Sequence, residues 1–188
     1  MIARSVVRYF TAFGGTLLGA HAVDIGCGEG RDTIFLALSG VQVAATDVAP
    51  TGLAKLREWA ETLGVDTQLI HFVNRSVVDA TLEPDSVEIA IAANIFQFLN
   101  INDVPGQIER LKATVRTGGV IGIGVFHPRM KDWGAKVEEH YCATADQLAE
   151  FFQESSGWHV VDRTEYTTYN VTAQSDASFS FVVAHRYL

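Results

Sequence analysis

Three glycines at alternate positions follow the first apolar run of the chain. The segment 23–30, Val-Asp-Ile-Gly-Cys-Gly-Glu-Gly, ends this run in an acid before the glycines begin. Glycine lacks a Cβ and readily adopts left-handed φ values, so the backbone of such a turn can approach a ligand closely. The pattern predicts a strand-to-helix turn against which a nucleoside lies. The predicted contacts in this turn are Asp24, Gly26, Cys27, Gly28 and Gly30.

The spacing of the glycines indicates which class of nucleoside cofactor this turn can bind. A dinucleotide-binding fingerprint, G-x-G-x-x-G, requires a glycine at position 31, where this chain has Arg31, a residue that would crowd a pyrophosphate. Asp47 ends the next apolar run, 41–46, and a carboxylate placed one βα unit later can accept hydrogen bonds from ribose hydroxyls. Arg31 has acidic neighbours, Glu29 and Asp32, with which it could pair.

Composition limits the class of protein. At 188 residues with 48% hydrophobic content, we expect one globular domain spanning 1–188. Fourteen basic against twenty-two acidic residues give a net charge of −8, which disfavours nucleic acid and anionic membranes as partners and favours small molecules. The most apolar window, 89–99, is too short to span a bilayer, and the N-terminus lacks a signal-peptide pattern, so we expect a cytoplasmic protein. Two cysteines and scattered histidines predict neither a disulfide framework nor a metal site.

Apolar runs alternate with helix-period segments from residue 22 to about 126, which predicts βαβ units and a parallel sheet. The predicted strands are 21–25, 41–46, 68–73, 87–93 and 120–126, and the predicted helices are 3–13, 31–39, 51–63 and one from about 103 that stops at the glycine pair 118–119.

The pattern changes after residue 126. Residues 127–143 have no clear period and are long for a connection, which is typical of functional or mobile loops. Thr144 and Gln147 form a capping box that opens a helix closed by Gly157. Two β-rich segments, 158–167 and 178–186, predict an antiparallel hairpin at the edge of the sheet.

With these elements in place, the chain resembles the class I S-adenosylmethionine-dependent methyltransferases, in particular their small tellurite-resistance and thiopurine-type branch. The residues that carry the resemblance are Asp24–Arg31, Asp47, the segment 84–99 and the Thr-Gly-Gly sequence at 117–119. The resemblance implies an α/β, Rossmann-like doubly wound sheet of seven mostly parallel strands in the order 3-2-1-4-5-7-6. It also implies S-adenosyl-L-methionine as the cofactor.

The resemblance further implies roles for individual residues. The three glycines would line the methionine and ribose moieties, and Asn94 would face the methionine end. Asp47 would bind the ribose hydroxyls, with Val48 beside it. Ser76 and Val77 would flank the adenine. The chain departs from the family pattern in two places. Ser76 replaces an acid that usually binds the adenine amino group, and the N-terminal cap is short. The pocket is therefore expected to be open or completed by another chain, as in a homodimer.

The acceptor side is less defined by sequence. Strand 4 is followed by Ala-Asn-Ile-Phe at 93–96 rather than Asn-Pro-Pro-aromatic, which argues against a nucleic-acid base as acceptor. His127 lies just past a strand end, where it would act as a general base or be an ordinary exposed loop histidine. The candidate acceptor contacts are Phe96, Arg129, Trp133 and Tyr141, with Phe98 and His140 as further candidates. Aromatic residues at this spacing also occur in cores, and a loop arginine is often only solvated.

Two functions remain open. The first is methyl transfer to a small molecule, such as a thiol or a chalcogen oxyanion. The second is a non-catalytic module that holds S-adenosylmethionine or S-adenosylhomocysteine, as a sensor or partner subunit. A nicotinamide-dependent dehydrogenase is disfavoured by Arg31 and by the lack of a second cofactor-binding half.

Overall fold

A seven-stranded sheet forms the centre of the computed structural model, which describes residues 2–129, 141–170 and 174–188. The strands are β1 (His21–Ile25), β2 (Gln42–Asp47), β3 (Ile70–Asn74), β4 (Val87–Ala93), β5 (Val115–Phe126), β6 (Trp158–Asn170) and β7 (Ser175–Arg186). Their order is β3-β2-β1-β4-β5-β7-β6. The first five strands pair in parallel, and β7 runs antiparallel to both β5 and β6. The predicted order and edge hairpin are confirmed.

Helices cover both faces of the sheet. They are α1 (Ile2–Ala12), α2 (Arg31–Leu38), α3 (Pro50–Thr62), α4 (Val104–Thr114) and the short α5 (Ala145–Ala149). Apolar residues of α4 and α5 pack in the largest core cluster with β4, β5 and β7, while α1 and α2 cover the opposite face. Burial on both faces explains why the central strands are nearly continuous apolar runs. No helix in the described ranges is long and apolar enough to cross a membrane.

The carboxyl ends of the parallel strands meet at one edge of the sheet. Asp24 on β1 is in register with residues of β2 and β4, Asp47 on β2 is opposite Asn74, and Ala93 on β4 is opposite Gly124. The strand order reverses between β1 and β4, where open α/β sheets bind ligands. The sheet therefore brings the glycine turn, Asp47 and the end of β4 to one crevice.

Two glycines on β5 determine how closely α1 approaches the sheet. A Cβ at Gly122 would collide with the side chains of Ile2 and Val6, and a Cβ at Gly124 would collide with Ile2. Because both positions are bare, α1 lies directly on β5, and its first residue lies near the carboxyl edge of the sheet.

The predicted boundary between the fourth helix and strand 5 was wrong. The helix ends at Thr114, before the glycines at 118–119, and β5 begins five residues earlier than expected. The β-branched Val115 pairs with Val87 of β4, and the guanidinium of Arg116 lies 2.8 Å from the carboxylate of Glu88. These contacts hold the chain extended, and the two glycines lie at the register shift between β4 and β5.

The C-terminal elements also differ in length from those predicted. The capping box at Thr144 and Gln147 is present, but α5 ends at Ala149 and a separate 3₁₀ turn, Glu154–Ser156, precedes Gly157. Gly157 adopts φ 79°, as expected for a residue that ends a helical turn. In the hairpin, β6 continues past its predicted end at residue 167, and β7 begins before its predicted start at residue 178.

Candidate functional site

The three glycines of the turn after β1 serve different purposes. All three have left-handed φ values: 67° at Gly26, 56° at Gly28 and 83° at Gly30. A Cβ at Gly26 would collide with Ile95, and one at Gly30 would collide with Leu56. A Cβ at Gly28 would meet no atom within 4 Å. Gly28 is therefore where a ligand can approach bare backbone, while the other two permit close packing.

Asp47 ties this turn to the end of β2. Its Oδ2 accepts a hydrogen bond from the backbone N–H of Gly28 at 2.7 Å, and its Oδ1 accepts one from Ala49 at 2.8 Å. The side-chain amide of Asn74 donates to the carbonyls of Asp47 and Val48, both at 3.0 Å. Each carboxylate oxygen retains a second lone pair. Asp47 thus supports the turn and can still accept hydrogen bonds from a ligand.

Asp24 is a buried acid below the turn. It is only 1% exposed, and its Oδ2 accepts a 2.6 Å hydrogen bond from the hydroxyl of Thr33. Burial raises the pKa of Asp24 to about 7, the Thr33 hydrogen bond opposes that rise, and the nearby Asp32 adds to it. An opposite charge nearby favours the ionised form of a carboxyl group, so a cationic group of a ligand bound beside Asp24 would lower this pKa again.

A cleft of about 550 Å³ adjoins the turn. Its walls include Asp24, Gly26, Cys27, Arg31, Trp59 and Ala93. Cys27 is half-buried here, and burial raises the pKa of its thiol, so it is a neutral wall residue. Gly26, Gly30 and the buried Asp24 line the cleft, whereas Gly28 and Asp47 are not among its walls. The acid in this lining fits a cationic group of a ligand that also reaches the open side of Gly28.

Ser76 and Val77, which were predicted to flank the adenine, do not line this cleft, and neither does Val48, predicted as a further cofactor contact. Val48 is exposed, Ser76 is half-buried at the start of the 3₁₀ turn Val77–Asp79, and Val77 is 4% exposed within the main core. The side chain of Val77 is therefore directed into the core, which corrects the prediction that it flanks the base. Val48 and Ser76 remain candidates for contact from the open side.

Asn94 lies at the carboxyl end of β4, as expected. It has φ 57°, a left-handed value that asparagine tolerates better than most residues, and its N–H donates to the carbonyl of Gly124 at 2.8 Å. Ile95 follows and packs over Gly26, a contact that no local sequence pattern predicts.

His127 has a structural environment rather than that of a general base. It is 5% exposed, its Nδ1 accepts a hydrogen bond from the N–H of Arg129 at 3.0 Å, and its Nε2 lies 3.2 Å from the carboxylate of Glu165. The other oxygen of Glu165 accepts a hydrogen bond from the N–H of Ala145 at the start of α5. With Nδ1 already accepting, no ring nitrogen is available to remove a proton. The structure contradicts the prediction of His127 as catalytic base.

The other predicted acceptor contacts are not brought together. Phe96 is fully buried in the main core, so the prediction that it lines a substrate pocket was wrong. Tyr141 is half-buried against the same core, and Arg129 is exposed. Trp133 and His140 lie outside the described residues.

Several residues at this edge of the sheet were not predicted from the sequence. Thr33 holds Asp24, Asn74 holds the end of β2, and Tyr166 and Phe179 of the hairpin border a second, smaller cavity beside Asn94. The hairpin residues could not be assigned because their proximity depends on the insertion of β7 beside β5. Within the described parts of the chain, no group of three or more His, Cys, Asp or Glu side chains could hold a metal ion.

Comparison with known families identifies a match over half of the chain. Residues 22–119 match the family described as a methyltransferase domain. The match runs from the start of β1 to the glycines of β5, and so contains the glycine turn, Asp47 and the end of β4.

Individual relatives match over a similar region. The probable S-adenosyl-L-methionine-dependent methyltransferase TehB of Haemophilus influenzae is 29% identical over 99 residues, which is 52% of this chain and 32% of that protein. Hemagglutinin 1 of Eikenella corrodens is 29% identical over 104 residues, or 55% of this chain and 33% of that protein. The matched segment thus spans about a third of each relative.

Solved structures extend the similarity of fold to nearly the whole chain. TehB from Haemophilus influenzae superimposes with a TM-score of 0.74 and 19% identity, covering 97% of this chain and 62% of that one. The 1,6-didemethyltoxoflavin-N1-methyltransferase of Burkholderia thailandensis gives a TM-score of 0.69 and 20% identity, covering all of this chain and 79% of that one.

Proposed function

The chain belongs to the methyltransferase domain family, and from that membership we propose that it transfers a methyl group from S-adenosyl-L-methionine to a small-molecule acceptor. S-adenosylmethionine, when bound, supplies a methyl group on a sulfonium sulfur and leaves as S-adenosylhomocysteine once an electron pair of the acceptor has taken the methyl. The observation that carries the proposal is the open, left-handed Gly28, held by Asp47 and adjacent to the cleft that contains Asp24.

Three groups of this chain would hold the donor. The bare backbone at Gly28 admits the nucleoside, the free lone pairs of Asp47 accept hydrogen bonds from the ribose hydroxyls, and the buried Asp24 faces the cationic methionine end. Cys27, Val48, Ser76 and Asn94 complete the proposed contact set at the rim.

The acceptor needs alignment more than it needs acid–base chemistry. Methyl transfer is an in-line displacement, so the main task of the protein is to orient the acceptor and exclude water. Since His127 already uses both ring nitrogens, we favour an acceptor that reacts without a protein base. A thiol that ionises near neutral pH, or a chalcogen oxyanion, meets this condition. We further propose that the chain is one domain acting in the cytoplasm, without nucleic-acid or membrane partners, and that a homodimer is its candidate assembly.

The experiment that tests this function has two steps. Calorimetry with S-adenosylmethionine and S-adenosylhomocysteine measures binding, and a methyl-transfer screen over thiols, phenols, amines and tellurite measures turnover. Micromolar binding with turnover of one acceptor class supports the enzyme. Binding without turnover of any acceptor supports the non-catalytic module, and absence of binding rejects both.

A further inference from the structure

A second cavity lies beside the donor cleft. It has a volume of about 20 Å³, and its walls include Ile2, Arg31, Asn94, Tyr166, Phe179 and Phe181. Arg31 and Ala93 line both cavities, so the two spaces share a wall at the end of β4. A volume of this size holds about one water-sized group. A molecule seated here can place one reacting group inside, while the rest of the molecule lies across the surface outside.

One end of an aromatic ladder borders this cavity, because Tyr166 and Phe179 are among its walls. The ladder consists of Phe98, Phe126, Phe179 and Tyr166, which cross from the end of β4 over β5 and β7 to β6. Successive ring centroids are 6.5, 5.5 and 5.3 Å apart, and the last pair, Phe179 and Tyr166, is stacked at 24°. Phe98 is 64% exposed and Tyr166 is 41% exposed. The ladder thus offers aromatic surface to a planar ligand.

The positively charged side chain of Arg31 borders the same small cavity. The side chain of Arg31 is 65% exposed, and its guanidinium is 4.0 Å from Oδ2 of Asp32. The other oxygen of Asp32 accepts a hydrogen bond from the N–H of Ala3 at 3.0 Å, so this carboxylate also binds the first turn of α1. Burial raises the pKa of Tyr166, and the charge of Arg31 opposes part of that rise. The phenol therefore remains a hydrogen-bond donor beside a cation.

We propose that the aromatic ladder and Arg31 form the acceptor site, and that the acceptor is a small planar molecule carrying a negative charge. This inference rests on the proposed function. The ring of the acceptor packs on Tyr166 and Phe179, its anionic group pairs with the guanidinium of Arg31, and its reacting atom enters the small cavity beside Ala93. The shared wall places that atom next to the donor cleft.

The first experiment separates the contribution of the ring from that of the charge. Protein saturated with S-adenosylhomocysteine is titrated by calorimetry with benzoate, with cyclohexanecarboxylate and with benzamide. Benzoate is both planar and anionic, cyclohexanecarboxylate is anionic but not planar, and benzamide is planar but neutral. We expect benzoate to bind about threefold to tenfold more tightly than either of the others.

Variants assign each contribution to a residue. Arg31→Gln is expected to weaken benzoate about threefold to tenfold and to leave benzamide unchanged, because only the charge pair is lost. Phe179→Leu is expected to weaken benzoate and benzamide by a similar factor and to leave cyclohexanecarboxylate unchanged. Arg163→Gln and Tyr169→Leu are the matched controls, since Arg163 pairs with Asp146 and Tyr169 is exposed further along β6.

The outcomes separate this inference from the function on which it rests. In two outcomes S-adenosylhomocysteine binds, so the proposed function stands, but the proposed acceptor site is wrong. In the first, the three compounds bind with equal affinity. In the second, the control variants weaken the binding of benzoate as much as Arg31→Gln and Phe179→Leu do. If S-adenosylhomocysteine does not bind, both are wrong. Because each variant is judged by the ratio between compounds, a general loss of folded protein does not imitate the expected result.

Discussion

The carboxylate of Asp47 accepts a 2.7 Å hydrogen bond from the N–H of Gly28, across the space between the ends of β2 and β1. The sequence suggested that both residues contact the same ligand, but it did not indicate that they contact each other. Because the acid orients the turn, its loss would affect both the direct ligand contacts and the shape of the bare backbone. The two effects can be separated by measuring binding and stability on the same variants.

Asp47→Ala should therefore weaken the binding of S-adenosylmethionine by more than about tenfold and lower the free energy of unfolding by about 1–3 kcal/mol. Asp47→Asn, which keeps one acceptor oxygen, should lie between this variant and the natural protein. Calorimetry and urea denaturation measure the two quantities. Asp66→Ala is the control, since this exposed acid also accepts a backbone N–H, that of Gln68, away from the site. Unchanged affinity in Asp47→Ala would refute the ribose assignment.

The second prediction concerns stability and pH. Burial raises the pKa of Asp24 from 3.8 to about 7, so between these values the folded protein retains a proton that the unfolded chain has released. Its contribution to stability is fully present below pH 3.8 and is lost as the pH rises to about 7. Between pH 5 and 7, the free energy of unfolding should fall by about 2 kcal/mol relative to Asp24→Asn. Parallel pH dependence of the two proteins in urea denaturation would contradict the raised pKa.

A related prediction concerns proton release on binding. If Asp24 pairs with the ammonium group of S-adenosylhomocysteine, the bound complex requires the carboxylate form, and at pH 6 the protein must lose a proton. Calorimetry at pH 6 in buffers of different ionisation enthalpy should then give heats that differ with the buffer. Asp24→Asn should bind more weakly and show no such difference. Equal heats for the natural protein in all buffers would place the ammonium group away from Asp24.

The packing of α1 gives a fourth prediction. Gly122→Ala should lower the free energy of unfolding by about 1–3 kcal/mol, because the added methyl group collides with Ile2 and Val6. Gly106→Ala, in α4, is the matched control: a Cβ there meets no atom within 4 Å, and the change should stabilise by up to about 1 kcal/mol. Thermal or urea denaturation measures both. Equal effects of the two substitutions would show that α1 is not held against β5 in solution.

The fifth prediction concerns His127. His127→Gln should lower the free energy of unfolding by about 1–3 kcal/mol, since its buried hydrogen bonds to Arg129 and Glu165 are disturbed. The dependence of kcat/KM on pH should keep the same shape, because the residue does not transfer protons. His159→Gln, at an exposed histidine near Glu154, is the control for stability. Loss of an inflection near neutral pH in His127→Gln alone would restore the catalytic role.

Local patterns predicted most of the fold. The glycines and acid at 24–30 have one physical explanation, a turn with left-handed backbone, and its φ values agree. Helix and strand periods likewise placed the elements from 21 to 114 within a few residues. The start of β5 was missed because the two glycines resemble a helix stop, whereas the pairing of Val115 with Val87 is a contact between distant parts of the sequence.

The acceptor side was harder to predict for the same reason. Phe96 and His127 have side chains suited to an active site, and only burial distinguishes a core residue from a pocket wall. Tyr166 and Phe179 lie in strands whose sequence does not reveal which face points toward α1. Their position follows from the antiparallel register of β6 and β7, which local sequence does not determine.

The position of β7 between β5 and β6 has a consequence for the nascent chain on the ribosome. The donor turn is built from segments in the first half of the chain, whereas Phe179 enters the sheet with β7, which is translated after the other six strands of the sheet. A stalled translation product that ends before residue 175 lacks one wall of the proposed acceptor site and also the β7 residues Val182, Val183 and Ala184, which belong to the two large core clusters. The core and the acceptor site would therefore be completed by the same strand.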